Sequence, residues 1–161
     1  MRVKTVVGTS VASICGLALA VAPTAGAGAS TTGNQAAATK SVTAAFTTLF
    51  NAKDKNKAAK EALLEDSSSY KGAFNKLFDS KVAQANPTSA QVTKVTFPAS
   101  AACKAAVSVS KCAAVTYNLD SAKTGSSLLA NVSGYATEVN GHWLVSDTTF
   151  CALAKLGGAA C

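Results

Sequence analysis

The side chains of this 161-residue chain best suited to covalent or metal chemistry are five cysteines and one histidine. Cys103 and Cys112 are nine positions apart, and Cys151 and Cys161 are ten apart, with Cys161 the last residue of the stretch FCALAKLGGAAC. Those spacings contain no C-x2-C pair, so a structural zinc site is the weaker reading of four cysteines. Two disulfides are expected, joining Cys103 to Cys112 and Cys151 to Cys161, although spacing alone leaves three connectivities open. His142 follows the turn residues Asn140-Gly141 and reads as an exposed turn neighbour rather than a general base. Glu65-Asp66, Asp120 and Glu138 read as surface or capping groups. No G-x-S-x-G, H-E-x-x-H or P-loop pattern occurs. The expectation is a protein with no catalytic residues, no metal site and no cofactor.

Cysteines are read as disulfides because the chain carries an export signal. Arg2 and Lys4 precede the apolar run Val6 to Val21, and PTAGAGA from Pro23 to Ala29 offers small-residue cleavage sites. Cleavage is expected after Ala29, with Ala27 as the alternative, so residues 1–29 are read as a signal peptide. The run is shorter than the ~20 apolar residues of a membrane span, and Cys15 follows Ile14 rather than the small residue that lipid attachment favours. Export places the remaining cysteines in an oxidising compartment. The expected location is the culture medium or the cell envelope, with no transmembrane segment in the mature chain.

Loss of the leader removes Arg2 and Lys4 from 15 basic residues, leaving 13 lysines against 8 acids and a net charge of +5. Without arginine the chain lacks the rigid forked donor used in bidentate phosphate and guanine contacts, so specific nucleic-acid reading is not expected. The densest basic cluster is Lys53, Lys55, Lys57 and Lys60; it reads as a solvated face that could attract an anionic envelope polymer.

The elements divide into helices followed by strands. Ser30 to Lys40 is small and polar and reads as a disordered leader. From Ser41, a candidate N-cap, the residues Val42, Ala45, Phe46, Leu49 and Phe50 recur at helical spacing. A short helical segment is expected over Lys57 to Glu65. A third helix carries Tyr70, Phe74, Leu77, Phe78 and Val82 on one stripe and ends before Asn86-Pro87. Gln91 to Phe97, Ala105 to Leu119 and Leu128 to Val139 are rich in Val, Thr and Tyr and read as strands. Asn140-Gly141 predicts a hairpin into HWLVS. Asp147 is expected to cap a last helix closed by Gly157-Gly158. This order implies an α+β domain over residues 41–161, its N-terminal helices packed on an antiparallel sheet.

The order of these elements, with VTKVTF, AAVTYNLDSAKTG and the closing unit VNGHWLVSDTTFCALAKLG, resembles the low-molecular-weight secreted antigen family of mycobacteria and related actinomycetes. The resemblance covers about residues 41–157, and Gly141 and Trp143 are its most telling landmarks. It implies a cone-like curved sheet around a long helix, similar to nuclear transport factor 2 and cystatin-like folds, and implies no reaction. A cone could hold an apolar small molecule against Phe46, Phe50, Phe74 and Phe78. The expected function is that of an exported, monomeric, non-catalytic protein binding such a ligand or an envelope component. The alternative is a small enzyme with its active site inside the cone.

Overall fold

A computed structural model describes residues 29–79, 88–97 and 111–161 of the chain. The segment through Gly28 that is read as a signal peptide, Val82, Asn86-Pro87 and Cys103 lie outside these residues. The first helix, α1, spans Ala29–Leu49. Val42, Ala45, Phe46 and Leu49 are its buried stripe, as their spacing predicts. It starts at Ala29 rather than Ser41, so the segment 30–40, expected to be a disordered leader, is helical. Ala36, Ala37 and Ala38 are the strongest intrinsic helix formers and extend the helix without needing a core to bury.

After α1 the chain turns sharply, and Ala52 N donates to Thr88 O at 3.0 Å. Helix α2 (Lys57–Glu61) is capped by the Asn56 side chain, which accepts from Ala59 N. Helix α3 (Ser67–Phe78) is capped by Asp66, which accepts from Ser69 N, in line with the capping role expected of that residue. Burial is greatest for Ala73 and Phe74, with Tyr70, Leu77 and Phe78 half-buried beside them.

Four strands follow: β1 (Thr88–Thr96), β2 (Cys112–Ser121), β3 (Ser127–Val139) and β4 (His142–Val145). They form one antiparallel sheet in the order β1-β2-β3-β4. In β2, alternate residues Ala113, Val115, Tyr117 and Leu119 are buried, the period-two pattern of a strand with one covered face. Register shifts fall between Val92 and Lys94 on β1 and on both sides of Leu119 on β2. Such bulges bend and twist the strands, and the curled sheet brings both edge strands, β1 and β4, against α1. The expected curved antiparallel sheet around a long helix is therefore present. Asn140 (φ 51°) and Gly141 (φ 81°) are both left-handed, the requirement of the tight turn between β3 and β4.

The C-terminal helix α4 (Asp147–Leu156) corrects one detail. Its N-cap is Ser146, whose hydroxyl accepts from Thr149 N, while Asp147 is the first helical residue. Phe150, Leu153 and Ala154 are buried. Past Gly158 (φ 76°) the tail folds back, Ala159 N donates to Ala154 O at 2.8 Å, and Ala159 is itself buried. This return brings Cys161 to Cys151, and the two form a disulfide with Cα atoms 5.8 Å apart. Among the described residues no helix is long and apolar enough to cross a membrane.

Candidate functional site

The four phenylalanines expected to line one pocket make two sets of ring contacts within one hydrophobic core. Phe46 and Phe50 enclose Tyr117 from β2, with ring centroids 5.0 and 6.0 Å from it. Phe74 and Phe78 stack at 5.5 Å in α3, and Phe74 meets Phe150 of α4 at 6.2 Å. Phe46 and Phe74 are buried, and both sets of rings fill the space between elements. The cause is the curl of the sheet: α1 fills its concave side, while α3 and α4 meet elsewhere.

Open space occurs instead around Trp143 of β4. One cleft of about 300 Å³ is lined by Asn34, Gln35, Phe97, Glu138 and Trp143 among others. A second, of about 350 Å³, lies between α1, Leu63 and the β3–β4 hairpin, and is lined by Ser41, Thr48, His142 and the same Trp143. Trp143 meets the Phe97 ring edge-on at 5.6 Å and is half-buried. Beside it, Lys111 Nζ pairs with Glu138 Oε2 at 3.1 Å. None of Phe46, Phe50, Phe74 or Phe78 lines either cleft. His142 is exposed at the start of β4, as its place beside the turn predicts.

The basic cluster is less uniform than its sequence. Lys53 and Lys55 are exposed, whereas Lys57 pairs with Asp79 at 2.6 Å. Lys60 is only 2 % exposed; its Nζ donates to Asn51 O at 2.6 Å and lies 5.2 Å from the centre of the Phe78 ring. Burial holds its ammonium below the ordinary lysine value, partly offset by Asp54. This lysine fastens the turn after α1 to α3, so it belongs to the packing and not to a solvated face.

A polar cluster that spacing did not reveal joins the α2–α3 connection to α4. Glu65, read from sequence as a surface or capping group, accepts at Oε2 from Asp147 N at 3.3 Å, across 82 positions of sequence. Tyr70 OH donates to Asp147 Oδ2 at 3.3 Å. Burial raises the Glu65 carboxyl above its ordinary value; the Asp147 N–H opposes this rise and the Asp147 carboxylate adds to it. The Thr137 hydroxyl favours the Glu65 anion weakly, yet neither Thr137 Oγ1 nor the buried Glu65 Oε1 completes a directed hydrogen bond. The sequence signal for this cluster is faint: an acid directly after the apolar pair Leu63-Leu64, and the polar run Ser146 to Thr149.

Of the cysteines expected in disulfides, Cys151 and Cys161 are joined to each other. Cys112 is disulfide-bonded as well. Among the described residues no group of three or more His, Cys, Asp or Glu side chains is placed to hold a metal ion.

No curated protein and no solved structure matches the chain. A family match does exist, over residues 35–161, and its description is low molecular weight antigen MTB12, C-terminal domain. Because that span takes in every helix and strand described above except the first turns of α1, this chain belongs to the low molecular weight antigen MTB12 C-terminal domain family.

Proposed function

We propose that the chain is an exported, non-catalytic protein of the culture medium or cell envelope, and that it binds a small apolar ligand or an envelope component at the Trp143 end of the sheet. Its family and its Cys151–Cys161 disulfide support an extracellular setting. Removal of the leader after Ala29, or after Ala27, and a second disulfide between Cys103 and Cys112 complete this reading. The observation that carries the binding surface is the position of Trp143: half-buried, held by Phe97, and a wall of both clefts. An aromatic platform beside polar side chains suits an amphiphilic ligand.

Trp143 is the only tryptophan in the chain, so its emission reports this site alone. Titration of the purified protein with a long-chain fatty acid, and separately with soluble wall polysaccharide, is expected to shift that emission saturably for one of them. An unchanged spectrum with both would remove the proposal. Native mass spectrometry of protein from the producer's culture medium then identifies any ligand already retained.

The alternative of an enzyme site inside the curved sheet draws on one observation. Tyr117 is fully buried there and its hydroxyl has no partner among the described residues, with burial raising its pKa. Phe46 and Phe50 occupy the space beside that ring, which favours the binding reading.

A further inference from the structure

We propose that the two clefts walled by Trp143 are halves of one groove for a neutral saccharide chain, an assignment that rests on the binding role given to Trp143 above. The first cleft takes Asn34, Gln35 and Ala38 from α1, and the second takes Ser41, Ala44, Ala45 and Thr48 from the same helix. Asn34, Ala38, Ser41, Ala45 and Thr48 follow one another at steps of four and three residues, so they lie along one helix face. Between Asn34 and Thr48 that face rises about 20 Å. Trp143 of β4 stands opposite and is the residue common to both cleft walls. It is held in place by the Phe97 ring, 5.6 Å away. A helix face of this length beside one fixed aromatic suits a chain of rings better than a single ring.

Charge selects the class of ligand. Among the described residues, the cleft walls carry one lysine and one carboxylate, Lys111 and Glu138, and these pair with each other at 3.1 Å. The other polar side chains of the walls are the amides of Asn34 and Gln35, the hydroxyls of Ser41 and Thr48, and the exposed imidazole of His142. Amides and hydroxyls both donate and accept. A fatty acid or a phosphate polymer needs an uncommitted cation, and an acyl chain needs an enclosed apolar cavity. Neither is offered here: Lys111 is held by Glu138, and Phe46 and Phe50 pack against Tyr117 in the space between α1 and the sheet. A pyranose ring instead has an apolar C–H face and a rim of neutral hydroxyls. Its face fits the Trp143 indole, and its rim fits groups that act as donor and acceptor at once.

The test uses the full mature protein and three probes: palmitate, and the producer's soluble wall polysaccharide separated by anion exchange into a neutral and an anionic fraction. A saturable change in Trp143 emission is expected with the neutral fraction and not with the other two, and affinity should rise severalfold from short to long fragments of that fraction. Gln35→Ala in the first cleft and Thr48→Ala in the second both keep the tryptophan reporter. Each should weaken binding by about fivefold, the scale of one lost hydrogen bond, with the emission of the free protein unchanged. A response to palmitate or to the anionic fraction equal to or above that to the neutral one overturns the saccharide assignment and leaves Trp143 a binding surface. No response to any of the three overturns both. If either variant binds as the wild type does, the single groove is overturned.

Discussion

Two tyrosines mark two kinds of interior in this molecule. Tyr117 lies between α1 and the concave sheet, enclosed by Phe46 and Phe50, with a buried hydroxyl that has no hydrogen-bond partner among the described residues. Tyr70 lies where α3 meets α4; its ring packs against Phe150 at 6.3 Å and its hydroxyl reaches Asp147. The first region is an apolar core that tolerates an orphan polar atom. The second is a polar joint in which the Glu65 and Asp147 carboxylates, the Tyr70 hydroxyl and the Asp147 amide meet. Stability therefore resides mainly in the first, and sensitivity to conditions in the second.

Large substitutions test that division most severely. Phe46→Ala should cost about 3–5 kcal/mol by the loss of buried area and the cavity left behind, measured as a shift in urea midpoint at unchanged slope. Phe74→Ala, in the part of the same core that borders the polar joint, should cost less; an equal loss would show that this part packs as tightly as the side between α1 and the sheet. The C-terminal disulfide comes next. Cys161→Ser opens the ring that returns the tail to α4, and about 2–3 kcal/mol should be lost on the chain-entropy account of so short a loop. Cooperative unfolding should persist, since α1 and the sheet do not depend on this ring; a fully unfolded variant would contradict the division.

The smallest effects are the most diagnostic, because the two tyrosines should respond in opposite senses. Tyr117→Phe removes an unpartnered buried hydroxyl and should leave stability unchanged or raise it by up to about 1 kcal/mol. Tyr70→Phe deletes a hydrogen bond to a carboxylate and should lose up to about 1 kcal/mol near neutral pH. A loss for Tyr117→Phe would reveal a partner for that hydroxyl and revive the enzyme reading.

Most of the fold was legible because apolar spacing carries it. Val42, Ala45, Phe46 and Leu49 announced one face of α1, and Asn140-Gly141 announced the hairpin, since few residues adopt φ above zero twice in succession. The beginning of α1 was not legible, because Ala-rich polar sequence suits a helix as well as a solvated leader. The cap of α4 was misassigned by one residue, as Ser146 and Asp147 are both good caps and only the backbone distinguishes them. The candidate site was least visible. Nothing local to Trp143 tells that two clefts flank it, and Lys60 is identical in sequence terms to its exposed neighbours Lys53 and Lys55.

Sequence by itself determined the helix-then-strand order, the turn at Gly141 and the buried stripe of α1. Each rests on nearest-neighbour spacing or on backbone geometry, quantities written into consecutive residues. Only the tertiary structure decided that the phenylalanines fill space instead of lining it, that Lys60 is buried, and that Glu65 meets Asp147. Those outcomes depend on how far the bulged sheet curls and which faces it brings together, a sum of many weak contacts that no single stretch of sequence encodes.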